Sequence, residues 1–143
     1  MTITQLSYCS QPASGITIAQ VQNLARAASE KNAARGITGF LLFRQEFFAQ
    51  VLEGDRKDVS ETFLKLSSDT RHHSIQLLGQ IDEPERSFGT WSMGYLAITA
   101  AHISILRRHG IKAELNQDDM SHSALVAAME ALAHRQQAPP ALH

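Results

Sequence analysis

The sequence lacks the features that mark several large classes of protein. Cys9 is the single cysteine among 143 residues, which excludes an intramolecular disulfide or a zinc knuckle and suits a reducing compartment. No uninterrupted apolar stretch approaches the roughly 18–20 residues of a membrane-spanning helix, and the first residues lack the charged and apolar regions of a signal peptide. The formal net charge is only -1, so no basic surface for nucleic acid is predicted. We therefore expect one cytoplasmic domain that binds neither nucleic acid nor membrane.

The order of the apolar patterns predicts an α+β fold. Apolar runs bounded by turn residues indicate five strands, at residues 3–9, 37–43, 47–53, 74–81 and 91–98. Thr17 and Gln20 form a capping box at the start of a helix that ends at Gly36. A second helix begins after Asp55, whereas Glu53, on the other side of the same turn, is predicted to be a solvated charge. The order βαββαββ is that of a ferredoxin-like sandwich, in which helices cover one face of a mixed sheet.

Two further helices are predicted after residue 98, at 103–109 and 120–135. Gly110 stops the first, and Asp118 or Asp119 begins the second. We expect the second to cover the exposed sheet face or to offer its apolar stripe to a partner, and a frayed tail to follow it. The predicted apolar stripes are Ile18, Val21, Leu24, Ala25 and Ala28 in the first helix, Val59, Phe63, Leu64 and Leu66 in the second, and Leu125, Met129, Leu132 and Ala133 in the last.

The most informative single residue is Gln50, because its amide interrupts the apolar run 47–52. An unpaired amide in a core costs roughly 1–3 kcal/mol, so protein or ligand must meet it. In a βαββ layout the first and third strands are neighbours, so Tyr8 and Gln50 can face each other while Asn32 overhangs the same side. A phenol and two amides on an apolar slot suit a flat ligand with a polar edge, such as an isoalloxazine ring. The alternative is structural: Tyr8 fills the core, Asn32 caps its helix, and a neighbouring strand satisfies Gln50.

Several short motifs resemble those of one protein family and follow one another at its spacings. They are Tyr8-Cys9-Ser10, Lys31-Asn32, residues 35–42, residues 48–54, Asp69-Thr70-Arg71-His72 and Trp91-Ser92-Met93-Gly94-Tyr95. The chain resembles the BLUF family, blue-light sensors that use FAD, over about residues 4–97. The resemblance implies a BLUF flavin-binding domain at residues 1–98, followed by a C-terminal helical extension and tail at 99–143.

The resemblance implies roles for the residues already singled out. Tyr8 matches the donor of an electron and a proton to the excited flavin. Gln50 matches the amide that bridges the tyrosine hydroxyl and the flavin edge, and it rearranges by rotation or tautomerisation after excitation. Asn32 matches the residue that holds the flavin carbonyl and N3–H. No substrate is consumed in such a response.

Other positions match the surroundings of the flavin. Ile37 matches a residue that lies against the ring, and Ser10 a small hydroxyl beside the switch. Trp91 and Met93 match a pair whose contacts with Gln50 transmit the signal, and the sequence leaves open which of the two faces Gln50 in the dark state. Three residues match the segment that lines the ribityl and phosphate end: Asp69, Arg71 and His72.

Two positions depart from the family pattern. Lys65 stands where many members have an arginine, which keeps the charge but loses the planar fork of the guanidinium. Lys31 replaces an asparagine that is common before Asn32. Both changes are expected to affect how tightly the flavin is held or how fast the dark state recovers.

We interpret the chain as a stand-alone photoreceptor without an attached output enzyme. Signalling is then expected to pass through a homo-oligomer or a separate downstream protein. A second hypothesis is a light-insensitive ferredoxin-like interaction module. A third is a small acylphosphatase-like hydrolase, which needs an arginine-bearing phosphate loop after the first strand, and residues 11–15 contain no arginine.

Overall fold

The computed structural model describes residues 2–44, 47–89, 91–112 and 120–136. This part of the chain forms a mixed sheet with helices on both faces. Its strands lie in the order β4-β1-β3-β2-β5, and neighbours are antiparallel except β2 and β5, which are parallel. The elements are β1 Ile3–Pro12, α1 Ile18–Arg35, β2 Thr38–Arg44, β3 Phe47–Gly54, α2 Arg56–Ser67, β4 His72–Glu83, β5 Gly94–Ala97, α3 Ala100–Arg108 and α4 His122–Gln136. The predicted α+β class and the element order are confirmed.

The ends of the first two helices form as the sequence predicts. The Thr17 hydroxyl accepts a hydrogen bond from the Gln20 backbone N–H at 3.1 Å, and the Gln20 side chain accepts one from the Thr17 N–H at 2.8 Å. Gly36 ends α1 with a φ of 69°, a left-handed conformation that glycine adopts without strain. Asp55 caps α2 by accepting from the Lys57 N–H at 3.2 Å.

The predicted burial of two residues in the helix stripes is wrong. Ile18 is 54% exposed because it opens the first turn of α1, and the buried stripe begins one turn later at Val21. Leu64 is 66% exposed, whereas Val59 is buried and Phe63 packs beside it. Residues 59, 63 and 66 recur on one side of a helix, but residue 64 is turned well away from that line.

The two faces of the sheet carry separate cores. Alternate residues of β2 divide between them, with Leu41 facing α1 and α2, and Phe40 and Leu42 facing α3 and α4. The residues of the predicted α4 stripe all lie in the second core: Leu125, Met129, Leu132 and Ala133. The C-terminal helix therefore covers the second sheet face, which was one of its two predicted roles.

Several boundaries differ from the predictions. β1 and β4 are longer than predicted, and α3 begins earlier, at Ala100. β5 is shorter and begins at Gly94, so Trp91 and Met93 precede the strand instead of lying in it. At the start of α4 the Ser121 hydroxyl accepts a hydrogen bond from the Ala124 N–H at 3.2 Å. The predicted caps Asp118 and Asp119, and the predicted tail from residue 137, lie outside the described residues. None of the helices in the described ranges is long and apolar enough to cross a membrane.

Gly39 allows β2 and β3 to pack closely beside the Met93 side chain. A Cβ at residue 39 would lie 2.0 Å from the Val51 carbonyl oxygen and 3.3 Å from Met93 Cε. We expect Gly39→Ala to lower the free energy of unfolding by about 3 kcal/mol, because the clash is with backbone. Urea denaturation would measure this, with Gly89→Ala as control, since its Cβ would meet nothing nearer than 3.6 Å. Equal midpoints for the two variants would contradict the prediction.

Candidate functional site

The Tyr8 hydroxyl donates a hydrogen bond to Gln50 Oε1 on the neighbouring strand. The two residues are Cα partners in the β1–β3 ladder, so their side chains share a face of the sheet. That face is the one covered by α1 and α2, and both side chains are buried, at 3% and 5% exposure. The predicted juxtaposition is confirmed, and it supplies the partner that a buried amide requires.

Met93 is the second partner of the Gln50 amide. Gln50 Nε2 donates to Met93 Sδ at 3.2 Å, and Met93 is fully buried in the α1/α2 core. Trp91 lies in the other core, where its ring meets Phe40 edge to face at a centroid distance of 5.4 Å. In this structure Met93, and not Trp91, contacts Gln50.

Burial keeps the phenol of Tyr8 protonated. Removal from water raises the pKa of Tyr8 well above its ordinary value, and the negative charge of Asp69 raises it further. The ring packs against Phe63 at a centroid distance of 5.5 Å. Because a thioether sulfur can only accept, Gln50 presents Nε2 to Met93 Sδ and Oε1 to the phenol, which donates to it.

Asn32 connects α1 to the segment that carries Met93. It is 4% exposed, and its Nδ2 donates to the Ser92 carbonyl at 3.0 Å. Its side chain is not the helix cap, because Gly36 serves there and the Asn32 backbone carbonyl accepts from the Ile37 N–H at 2.9 Å. One N–H and the Oδ1 of the amide are left without a partner among the described residues.

Ser10 and His72 form a second buried pair, two residues along β1 from Tyr8. His72 Nε2 lies 2.5 Å from the Leu66 carbonyl, which can only accept, so this nitrogen carries the proton. In that tautomer of the neutral ring, His72 Nδ1 accepts from the Ser10 hydroxyl at 2.7 Å. The predicted Ser10 hydroxyl is beside Tyr8 but is bonded to His72, which joins β1, β4 and the end of α2.

The other predicted site residues lie nearer the surface, with the exception of the buried Ile37. Arg71 pairs with Asp69 through both carboxylate oxygens, at 2.9 Å from Nε to Oδ1 and 2.5 Å from Nη2 to Oδ2. The hydrogen bond from the Arg71 side chain lowers the pKa of Asp69 to about 2, so the carboxylate is ionised. Lys31 and Lys65 are exposed. Ile37 is buried in the same core as Tyr8.

Glu53 was misjudged at the sequence level. The structure buries it completely, with Gln5 and Thr38 among its hydrogen-bond donors, whereas the sequence predicted a solvated charge. Strand alternation could have predicted this burial. A β3 strand that continues to residue 53 places Glu53 on the same face as the buried Ala49 and Val51.

The donor set fits a flavin. Among the described residues, Gln50 and Asn32 each keep an amide N–H without a partner, and Asn32 also keeps its Oδ1, on the sheet face where Ile37 and Leu41 are buried. Amides that can both donate and accept match an edge on which N–H and carbonyl groups alternate, and the apolar wall matches the face of a ring. The site therefore has the chemistry that binding of an isoalloxazine ring requires.

Comparison with known proteins identifies the family. Residues 3–94 match the family model described as BLUF, sensors of blue-light using FAD. The chain is 34% identical over 104 residues to the alpha subunit of the photoactivated adenylate cyclase of Euglena gracilis, covering 72% of this chain but 10% of that protein. It is 30% identical over 91 residues to the blue light- and temperature-regulated antirepressor BluF of Escherichia coli K12, covering 64% of this chain and 23% of that one. The chain thus spans a small part of the curated relatives it matches.

Solved structures agree with the sequence relatives. The photo-activated state of BlsA superposes with a TM-score of 0.80 at 26% identity, over 92% of this chain and 94% of that one. The dark-state structure of BlrB, a BLUF protein, gives a TM-score of 0.73 at 28% identity, over 91% and 96% of the two chains. BlrP1 of Klebsiella pneumoniae, solved with FMN and cyclic diGMP, gives 0.63 at 35% identity, over 66% and 26%. With the Tyr8–Gln50 pair at the site, these matches show that the chain belongs to the BLUF family, sensors of blue light using FAD.

Proposed function

We propose that Tyr8, Gln50 and Met93 are the light-responsive network of this BLUF sensor. The observation that supports this is the continuous bonding from the Tyr8 hydroxyl through Gln50 to Met93 Sδ in a buried setting. Because each side chain is held by its neighbour, a change in the direction of the central amide alters both contacts at once. A buried network with few alternatives suits a two-state switch.

The bonding supports a role for each side chain. A flavin, when bound and excited by blue light, would supply a strong oxidant. Tyr8 would give up an electron, and its phenolic proton would leave along the existing hydrogen bond to Gln50 Oε1. Rotation or tautomerisation of the Gln50 amide would then break its bond to Met93. Return of an electron and a proton to Tyr8 would restore the neutral phenol and leave the altered amide as the signal.

We assign the flavin-binding set by position. Asn32 offers its free amide groups, Ile37 lies against the ring, and Lys31 and Lys65 supply exposed positive charge at the rim. The segment of Asp69, Arg71 and His72 lines the ribityl and phosphate end. The flavin-binding unit in this proposal spans residues 1–98, and residues 99–143 form its helical extension.

The cofactor is proposed to be FAD, as in the description of the family. A neighbouring structure contains FMN, so the identity of the flavin is a direct test. Chromatography of the chromophore released by denaturation should give FAD. Release of FMN or riboflavin alone would overturn this part of the proposal.

The decisive test of light sensing is the absorption of the purified protein before and after a blue flash. We expect flavin bands that shift to longer wavelength and return in the dark, because a changed amide contact strengthens a hydrogen bond to the flavin carbonyl. Repeated flash and dark cycles on one sample control for bleaching. A colourless protein, or flavin bands that do not shift, would favour the light-insensitive interaction module.

The output is proposed to pass through a homo-oligomer or a separate downstream protein, with no enzyme activity in this chain. The superposition on BlsA covers 92% of this chain and 94% of that one, so the shared fold accounts for nearly all of the chain. Light scattering coupled to gel filtration, in darkness and under blue light, would show a change in mass. Nucleotide cyclisation or acyl phosphate hydrolysis by the purified chain would contradict the non-enzymatic part of the proposal.

A further inference from the structure

A buried polar cluster lies on the sheet face opposite Tyr8, with Glu53 at its centre. Glu53 is fully buried, and four donors in the described part of the chain reach its carboxylate. Oε1 accepts from the Thr38 hydroxyl at 3.0 Å and the Phe88 N–H at 2.9 Å, and Oε2 accepts from Gln5 Nε2 at 2.9 Å and the Ser87 N–H at 2.7 Å. Four donors satisfy an acceptor-only carboxylate, which makes its burial tolerable.

The carboxylate anchors the segment that ends at Met93. Two of its bonds go to the consecutive backbone N–H groups of Ser87 and Phe88. The Phe88 carbonyl then accepts from the Trp91 N–H at 3.1 Å, and the Trp91 carbonyl accepts from the Gly39 N–H at 3.0 Å. Glu53 therefore fixes the start of the segment 87–93, and the other end of that segment contacts Gln50 through Met93.

The same carboxylate is connected to α4 through directed hydrogen bonds. Gln5 Nε2 points to Glu53, so Gln5 Oε1 is the atom that faces His122 Nε2 at 3.0 Å and accepts its proton. His122 Nδ1 consequently accepts from the Ser7 hydroxyl at 2.6 Å. Gly79 leaves space for the His122 side chain, since a Cβ there would lie 2.8 Å from His122 Cβ.

We propose that Glu53 is a positioning residue for the light response. In this proposal the hydrogen bonds from Glu53 through Gln5 to His122 couple the segment 87–93 to α4. The proposal rests on the light-driven switch at Gln50 described above. When the Gln50 amide releases Met93, the segment 87–93 loses one of its two hydrogen-bonded contacts on that sheet face, and the bond from Asn32 to the Ser92 carbonyl remains. A displacement of the Ser87 and Phe88 N–H groups changes their hydrogen bonds to Glu53. Because Glu53 is also bonded to Gln5, and Gln5 to His122, the change reaches the first residue of α4.

The test uses the full chain with flavin bound and compares His122→Phe with wild type. Hydrogen exchange of the α4 amides, measured in darkness and under blue light, is expected to differ in wild type. In His122→Phe we expect that difference to fall about fivefold or more, while the reversible spectral shift remains. His134→Phe, at an exposed position in the last turn of the same helix, should behave as wild type.

The outcomes separate this inference from the proposed function. No spectral shift in wild type would refute the proposed function itself. A wild-type shift without any light-dependent exchange in α4, or an undiminished exchange difference in His122→Phe, would refute the coupling alone. If His122→Phe does not fold, Gln5→Met removes the same link with little change in side-chain length, and the same outcomes apply to it.

Glu53→Gln tests the positioning role directly. An NH2 group in place of one carboxylate oxygen faces one of the two backbone N–H groups of the segment, so one of the two bonds that anchor its start is lost. We expect the dark-recovery rate to change about fivefold or more, with the exposed Glu85→Gln as control. Recovery at the wild-type rate together with an intact α4 response would overturn the assignment.

Discussion

Tyr8→Phe is expected to abolish the reversible spectral shift while the flavin stays bound. The substitution removes one hydroxyl, and the ring that packs on Phe63 remains in place. Loss of the hydroxyl leaves Gln50 Oε1 without its donor, at a cost of about 1–3 kcal/mol, which a folded domain tolerates. The photochemical loss is far larger, because phenylalanine is much harder to oxidise than tyrosine and carries no transferable proton.

The measurement for Tyr8→Phe is the difference spectrum before and after a blue flash, together with flavin fluorescence. Fluorescence should rise, since the excited flavin loses the electron donor that we propose for it. Tyr95→Phe is a matched control, because Tyr95 is the second tyrosine of the chain and packs in part on the same core. A full photocycle in Tyr8→Phe would overturn the donor assignment.

Gln50→Leu is expected to abolish the shift for a different reason. Leucine keeps much of the side-chain volume but has no group that can bridge Tyr8 and Met93 or change its hydrogen bonds. The electron donor remains, so flavin fluorescence should stay quenched even though no lasting spectral change follows. The two variants therefore separate the donor from the switch by the same pair of measurements.

A control for Gln50→Leu is Gln80→Ala, which removes an exposed amide from the edge strand β4 and should leave the photocycle unchanged. A normal dark-to-light difference spectrum in Gln50→Leu would show that another group performs the switch. Loss of fluorescence quenching in that variant would show that Gln50 is also needed to hold Tyr8 in reach of the flavin.

The parts of the fold that could be predicted depend on contacts between residues close in the chain. The capping box of Thr17 and Gln20, the Asp55 cap and the Gly36 stop each involve residues within one helical turn, so the pattern of residue types suffices. The Tyr8–Gln50 pairing was also predictable, because the βαββ order makes β1 and β3 neighbours and Gln50 was an amide in need of a partner.

The parts that could not be predicted depend on contacts between residues distant in the chain. Whether Met93 or Trp91 reaches Gln50 depends on the path of the segment before β5. Hydrogen bonds between the Trp91 backbone and residues 39 and 88 hold that path. Glu53 carries a charge that a sequence pattern assigns to solvent, and only the convergence of donors from β1, β2 and the segment 87–88 makes its burial favourable. Element order and local caps were thus determined by the sequence alone, whereas the burial of a charge and the choice between two side chains were decided by tertiary packing, because their free energy comes from groups that only the completed fold brings together.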